Sequence, residues 1–429
     1  MLTEMLLQFL WKFRLFAHPV VRTSDGETVE IIHPGFQNFD AGPDFFNAKV
    51  KIGDTMWAGN VEIHHKTSQW NDHRHHLDKA YNNVILHVVM EHDDCVVTEN
   101  GRVVPVMVMP VMPELENRYR EMMDQSQWLL CSGSRFTLPE VELSVWLESL
   151  LIGRLEDRCS KIQQLLTYFH GDWDQVFFVM LARAFGFGVN SDAFEALALL
   201  TPVRRLMQHA DQIEQLEAML MGQAGFLDER VGDDYQDRLS SEYLFFKEKY
   251  SLKTMGSHRW KFLRLRPKNF PTVRLAQLAQ WVHRHPQVTG AILGVQRVDD
   301  LRARFQIVAS EPWLTRYRFG DRDVPHEKTL GVSSQNLLLI NGIIPFLFAY
   351  ARHRGDSHGM DLAIDMMAQL PPERNHIVHD WEARGGIVAC NAAQSQALIY
   401  QYNHYCLPRK CLQCRVGMGY LQSACSFQS

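Results

Sequence analysis

The feature that most constrains the fold is a pair of strand-like segments joined by a tight turn. The segments FFNAKVKIG (45–53) and MWAGNVEIHHK (56–66) alternate apolar and polar residues, and Gly53 lies between them. Two alternating segments around a short glycine turn predict a β-hairpin. A hairpin brings the start of its first strand beside the end of its second, so residues at those two ends are expected to meet.

Ionisable side chains are concentrated at that open end of the hairpin. Side chains two residues apart share one face of a strand, so Glu62, His64 and Lys66 are expected together. Asp44, at the start of the first strand, is expected beside Glu62. Two carboxylates suit Mg²⁺ or Mn²⁺, which complete their shells with water or phosphate oxygens. The alternative is a solvated sheet face on which Asp44 and Glu62 are structural.

The order of segments along the chain predicts two domains. Residues 1–135 are expected to form an α/β sandwich, in the order helix, three strands, helix and strand, with one further strand. In residues 136–429, apolar residues recur three and four positions apart, which predicts a mainly α-helical domain. The stretch CSGSRFTLPE is rich in turn-forming residues and marks the expected boundary.

Composition limits the function classes. The net charge of −5 excludes a generally basic protein that coats nucleic acid, so any such surface must be local. Eight cysteines in 429 residues lack the density of a small secreted domain, which predicts a reducing cytoplasm. The most apolar run, NLLLINGIIPFLFAY, is too short to span a bilayer and contains Pro345, so no membrane association is expected.

Within this order of elements, GPDF followed by VEIHHK resembles the PD-(D/E)XK nuclease superfamily. The resemblance covers the first quarter of the chain and implies an αβββαβ core. It also implies a metal-dependent phosphodiesterase that cleaves DNA or RNA, with Mg²⁺ or Mn²⁺ as cofactor. Pro43 and Asp44 match the PD pair, Glu62 matches the acidic position, and Glu4 matches the glutamate that the first helix often contributes.

One position departs from the superfamily pattern, because His64 stands where the motif has lysine. The resemblance implies that His64, or Lys66 on the same face, positions the attacking water. The rival hypothesis is a protein of the same fold that has lost catalysis at this substitution and serves as a scaffold for nucleic acid or protein.

The whole chain also resembles an uncharacterised bacterial family, the domain of unknown function 2851. The segments that carry this resemblance are GPDFFNAKV, GNVEIHHKTSQW, YNNVILHVV and YCLPRKCLQC. This second resemblance implies no activity.

A histidine-rich stretch follows the hairpin. Its run HRHHLD does not match the H-x-H-x-D-H motif of metallo-β-lactamase-like zinc hydrolases. We therefore expect most of these side chains at the surface, with His73 or His76 contacting substrate phosphate. His87, within an apolar strand, is expected to be a hydrogen-bonded core residue. A zinc hydrolase remains a third hypothesis, and it requires at least three of these histidines to converge. The side chains that suggest a zinc site are His64, His65, His73, His75, His76, Asp78 and His87.

Residues 247–274 form the most basic segment of the chain. Cations mixed with Tyr250, Trp260 and Phe270 are expected to bind phosphates while the rings stack on bases. The alternative is a solvated face above core aromatics. The predicted nucleic-acid contacts are Arg259, Lys261, Arg264, Arg266 and Lys268.

The C-terminal tail carries three closely spaced cysteines, Cys406, Cys411 and Cys414. Three such thiols suit a structural Zn²⁺ whose fourth ligand is a neighbour. An iron–sulfur cluster and unligated reduced thiols are the alternatives. The neighbours considered as fourth ligand are Cys390, His404 and Cys425.

Overall fold

A computed structural model describes residues 3–17, 20–124, 128–131 and 138–422 of the chain. These residues form two compact units. The predicted domain boundary at 135 and Cys425 lie outside the described residues. The first unit comprises Met1–Glu142, Ala383–Gly386 and Gln401–Ser429, and the second comprises Leu143–Glu382 and Ile387–Tyr400.

A mixed β-sheet forms the centre of the first unit. Its strands are β1 (Val21–Arg22), β2 (Thr28–His33), β3 (Phe36–Gln37), β4 (Phe45–Ile52), β5 (Thr55–Lys66), β6 (Val84–Glu91) and β7 (Val106–Val108). They lie in the order β1-β2-β4-β5-β6-β7, with β3 beside β4. Strands β2, β4 and β5 are antiparallel neighbours, whereas β6 is parallel to β5 and β7 is parallel to β6. The α/β character predicted for this part of the chain is confirmed.

The predicted hairpin is confirmed as β4 and β5, and its register changes once. A bulge in which Asn47 adopts φ 55° shifts the pairing by one residue. Beyond the bulge Phe45 pairs with Val61. The next residues outward, Asp44 and Glu62, are therefore directly opposed, and opposed side chains share a face. Without the shift the two carboxylates would point to opposite faces, because side chains alternate along a strand.

Helix α1 (Glu4–Phe13) brings a third carboxylate to this end of the sheet. Thr3 caps the helix by accepting a hydrogen bond from the main-chain N–H of Leu6. The helix packs on β5 and buries an apolar face that includes Leu10 and Trp11. Glu4 lies in the first turn, where a carboxylate is favoured by the helix dipole.

The link between β5 and β6 contains less helix than predicted. Helix α2 covers only Gln69–Asp72, and two 3₁₀ turns, His75–Leu77 and Lys79–Tyr81, follow it. Arg74 adopts φ 63°, a left-handed conformation that cannot continue an α-helix. The side chain of Asp78 then caps the second turn. The histidines of this stretch therefore lie on a sequence of turns. Helix α3 (Pro113–Met123) follows β7.

From Glu140 to Gln401 the chain is mainly helical, as predicted. The second unit has its own aromatic core, in which the rings of Phe177, Trp281 and Phe346 are in contact. The helices are α4 (Glu140–Tyr168), α5 (Trp173–Phe185), α6 (Ser191–Leu200), α7 (Val203–Gln208), α8 (Ile213–Gln223), α9 (Asp234–Tyr250), α10 (Pro271–Arg284), α11 (Val298–Ala303), α12 (Val332–Leu338), α13 (Ile344–Arg354), α14 (Ser357–Gln369), α15 (His376–Gly385) and α16 (Ala392–Gln401).

The apolar run around Pro345 lies in a helix that is longer than the run itself. A π-turn joins α12 to α13, and Pro345 lies in the first turn of α13, where proline is tolerated. The resulting helix, Val332–Arg354, is long and apolar enough to cross a membrane by length and composition alone, and 67% of its most apolar window is buried inside the protein. A core helix passes the same test, so this is weak evidence for a membrane span.

The cysteine tail packs with the first unit, whereas the sequence predicted it in the helical domain. Helix α17 (Arg415–Gln422) buries Leu421 in the core of the α/β unit. The cause is an apolar contact over a long sequence separation, which local periodicity cannot reveal. The side chain of Gln401 lies between Cys406 and Cys414 of this tail.

Candidate active site

Asp44 and Glu62 meet at the open end of the β4–β5 hairpin. The main-chain N–H of Asp44 donates to Glu62 Oε2 over 3.0 Å, and the N–H of Ile63 donates to Asp44 Oδ2 over 2.9 Å. Gln8 of α1 donates to Asp44 Oδ1 over 2.8 Å. Each carboxylate is thus held by the opposite strand. The predicted proximity of Asp44 and Glu62 is confirmed.

Two imidazoles lie beside the other oxygen of Glu62, and a third lies beside one of them. His64 Nε2 lies 3.4 Å and His75 Nε2 lies 3.3 Å from Glu62 Oε1. His73 Nδ1 lies 3.2 Å from His64 Nε2. The ligand atoms of the three histidines all lie within 4.8 Å of one another. This spacing is that of a potential metal centre, with a carboxylate oxygen at its edge.

Neighbouring side chains fix the orientation of two of these rings. His64 Nδ1 lies 2.9 Å from His87 Nε2 within the core. When His64 donates its Nδ1–H in this contact, the lone pair on its Nε2 is free to bind a metal. The ring of His75 stacks on Tyr81 with centroids 3.8 Å apart. As predicted, His87 is a hydrogen-bonded core residue.

The electrostatics of the site favour a bound cation. Burial and the neighbouring carboxylates raise the pKa of both Asp44 and Glu62 to about 8. Burial and the surrounding histidines lower the pKa of His64 to about 2. The carboxylates are therefore costly to ionise and the imidazole is costly to protonate. A divalent cation would remove both penalties, since it stabilises carboxylate and binds neutral imidazole.

Three buried ring nitrogens around the centre lack a hydrogen-bond partner among the described residues. They are His75 Nε2, which lies near Glu62, and the Nδ1 atoms of His76 and His87. Buried polar atoms are normally satisfied, so an orphaned ring nitrogen beside a carboxylate and two other imidazoles fits a metal ligand. The residues present therefore fit a metal ion.

Glu4 and Lys66 have different surroundings, although both were predicted to act at this site. Glu4 accepts a hydrogen bond from Gln69 over 3.3 Å and lies close enough to raise the pKa of both other carboxylates. Lys66 is exposed and forms an ion pair of 2.9 Å with Glu91, its partner in the β5–β6 register. The pairing with Glu91 thus holds the Lys66 amine away from Asp44 and Glu62.

His73 is exposed, as expected, whereas His75 is half-buried, and both rings lie beside that of His64. The left-handed residue Arg74 reverses the chain between them. The sequence feature that could have indicated this site is the His-x-His pair between a charged strand and an apolar strand. The turn that brings the two rings together has no recognisable sequence motif. His76, the other predicted phosphate contact, is half-buried and lies outside the group of three.

In the basic segment of the second unit, the predicted cations are exposed but two of the predicted stacking rings are buried. The five predicted cations are all exposed, whereas Trp260 and Phe270 are buried. Trp260 donates its ring N–H to the carbonyl of Ala224, which fixes it in the core. The predicted stacking role of these two rings on bases is wrong. The exposed cations are Arg259, Lys261, Arg264, Arg266 and Lys268.

Comparison with known proteins gives a family and no activity. Residues 4–376 match the family described as protein of unknown function (DUF2851). No curated protein and no solved structure matches the chain. Because the match covers most of the chain, the protein belongs to the DUF2851 family.

Proposed function

We propose that this member of the DUF2851 family is a metal-dependent phosphodiesterase that cleaves DNA or RNA. The observation that carries the proposal is the group formed by His64, His73 and His75, two of which lie within 3.4 Å of Glu62 Oε1, with Asp44 beside Glu62. Neither carboxylate is neutralised by an arginine among the described residues. This disfavours the scaffold hypothesis, in which such a salt bridge would leave the carboxylates purely structural.

The strand order supports phosphodiester cleavage as the reaction. Helix α1, antiparallel strands β2, β4 and β5, and parallel strand β6 follow the αβββαβ order of PD-(D/E)XK nucleases. In this proposal Asp44, just before β4, and Glu62, in β5, would take the roles of the motif carboxylates. The departure is the short helix α2, which leaves room for the histidine turns. The nuclease assignment rests on this order together with the carboxylate pair.

The donor set favours Mn²⁺ or Zn²⁺ over Mg²⁺. Imidazole nitrogens suit Zn²⁺ and accept Mn²⁺, whereas Mg²⁺ prefers oxygen ligands. His64, His73, His75 and Glu62 would hold the ion. When bound, such an ion polarises a phosphate oxygen and lowers the pKa of water. This set is richer in nitrogen than the two-carboxylate site expected from the motif.

The remaining residues supply positioning and proton transfer. The Asp44 carboxylate, which lies beside Glu62 at this end of the hairpin, would accept a proton from attacking water at its oxygen. Gln8 and the N–H of Ile63 hold that carboxylate in place. Glu4 orients Gln69, whose side-chain oxygen accepts the N–H groups of His65 and Lys66. Glu4 is thus a positioning residue in this proposal.

Cleavage of labelled nucleic acid tests the proposal. Purified protein is incubated with single- and double-stranded DNA and RNA in Mn²⁺, Zn²⁺ or Mg²⁺. We expect cleavage that Asp44→Asn lowers by about 100-fold, the upper part of the usual range for a lost general base. The matched control is Asp40→Asn, an exposed aspartate of the same loop, which should retain activity. Binding without cleavage of any substrate in any ion would favour the scaffold.

Lys66→Ala is expected to leave the rate of cleavage within about threefold of the wild-type rate, since removing an exposed ion pair changes little. The amine is paired with Glu91 and does not reach the carboxylates. Initial rates under saturating metal measure this effect. A loss comparable to that of Asp44→Asn would mean that Lys66 supplies the lysine function of the motif after all.

A further inference from the structure

Four cysteines from distant parts of the sequence meet in the first unit. The thiol of Cys131 lies close enough to interact electrostatically with Cys411 and Cys414. The thiol of Cys406 interacts in the same way with the other three. Burial, followed by these neighbouring thiols, raises the pKa of Cys131 to about 12. Cys414 is buried, and all four are free of disulfides.

Donor groups surround the sulfur of Cys414. The side-chain amide of Gln401 donates to Cys414 Sγ over 3.0 Å and lies 3.8 Å from Cys406 Sγ. Burial raises the pKa of the Cys414 thiol, and hydrogen bonds from the main-chain N–H groups of Gly417 and Val416 oppose that rise. Such donors stabilise a thiolate in an otherwise apolar setting.

The turn from Cys411 to Gly417 is tightly closed. A Cβ atom on Gly417 would lie 2.4 Å from the carbonyl oxygen of Cys411, so the close approach requires glycine. Cys414 ends a short 3₁₀ turn that begins at Cys411, and it immediately precedes α17. Two cysteines three positions apart in a tight turn, with main-chain N–H groups directed at the second sulfur, are suited to bind a metal together.

We propose that Cys131, Cys406, Cys411 and Cys414 bind one thiophilic metal centre through four thiolates, and that this centre fastens the C-terminal tail to the α/β unit. Four thiolates are the ligand set of a structural Zn²⁺ and of an iron–sulfur cluster. The fourth ligand is Cys131, from the segment that follows α3. Cys131 takes the place of the fourth ligand expected from the sequence. Cys390, one of the expected ligands, is exposed and belongs to the second unit.

The spacing of the sulfurs bears on which centre is bound. Bonds of about 2.3 Å to a single zinc ion hold sulfurs about 3.8 Å apart. Among the described residues, three histidines have ligand atoms that all lie within 4.8 Å of one another, and no three of the cysteine sulfurs do. The sulfurs are therefore farther apart than the histidine nitrogens. A zinc ion would draw the four thiols together, whereas a cluster accommodates a wider set. Both centres use the same four thiolates.

Metal and acid-labile sulfide analysis of the full chain, purified without oxygen, tests the proposal. The Glu62→Gln background removes metal bound at the histidine centre, so the result does not depend on the proposed nuclease activity. We expect one zinc per chain, or iron and sulfide in equal amounts with absorbance near 400 nm. Cys131→Ser should lower the content at least fivefold, and Cys95→Ser, an exposed cysteine of the same unit, should not.

A second variant keeps the test decisive if Cys131→Ser fails to fold. Cys131→His replaces one zinc ligand by another, so a zinc centre should be retained in this variant. Wild-type protein without metal, even after reconstitution with Zn²⁺ or with iron and sulfide, would overturn the proposal. Undiminished metal content in a folded Cys131→Ser variant would overturn it as well.

Discussion

Replacing Glu62 with glutamine is expected to abolish metal binding at the histidine centre and to lower phosphodiester cleavage by about a thousandfold, an effect typical of losing a central electrostatic group. Glu62 Oε1 lies within 3.4 Å of two imidazole nitrogens, and Oε2 accepts the N–H of Asp44. Glutamine keeps the size of the side chain but removes the charge, so a divalent ion held by the three histidines would lack the Glu62 carboxylate.

Calorimetric titration with Mn²⁺ and Zn²⁺, together with kcat/KM for the best substrate, measures the effect of Glu62→Gln. The matched control is Glu91→Gln on the neighbouring strand β6, where the carboxylate is exposed and pairs with Lys66. That variant should bind metal and cleave substrate as the wild type does. If Glu62→Gln retains both wild-type affinity and wild-type rate, the metal centre is not where we place it.

The metal-free protein is expected to lose stability as the pH rises from 6.5 to 8. The folded-state pKa of Asp44 and Glu62 is about 8, above the ordinary values of 3.8 and 4.5, so the folded protein binds more protons in this range. The free energy of unfolding then falls with pH by about 1.4 kcal/mol per unit for each carboxyl group that stays protonated.

The histidines act in the opposite direction and in another pH range. The folded-state pKa of His64 is about 2 and that of His87 is about 3, both lowered by burial and by nearby histidines. The folded protein therefore binds fewer protons than the unfolded chain below pH 6.5, and their contribution to stability is lost as the pH falls. Above pH 6.5 these histidines are neutral in both states, so the decline belongs to the carboxylates.

Urea unfolding in the presence of EDTA, followed from pH 6 to 8.5, measures this dependence. Asp44→Asn should be more stable than the wild type at pH 8 and should show a shallower decline, because it removes one buried acid. Comparing the two proteins cancels contributions from other groups and from the second unit. Mn²⁺ should abolish the decline in the wild type. Identical slopes in both proteins would contradict the burial of a costly carboxylate pair.

The candidate site could be predicted in part from sequence. Two alternating segments around Gly53 predicted the hairpin, and the hairpin predicted that Asp44 and Glu62 meet. The bulge at Asn47 that turns both carboxylates to one face had only a weak signal, since asparagine tolerates the left-handed conformation. Lys66 was placed on the correct face by alternation, but its pairing with Glu91 depends on the neighbouring parallel strand.

The sequence by itself determined the elements whose causes are local: the hairpin, the apolar strand β6, the helical character from Glu140 onward and the carboxylate pair. Only the tertiary structure decided the convergence of His73 and His75 on His64, and the proximity of Cys131 to the C-terminal cysteines. The physical reason is that periodicity and turn chemistry act over a few residues. The chain reverses direction at Arg74, and the C-terminal tail returns to the first unit after nearly 300 residues. Both features depend on packing between distant residues, which no local pattern encodes.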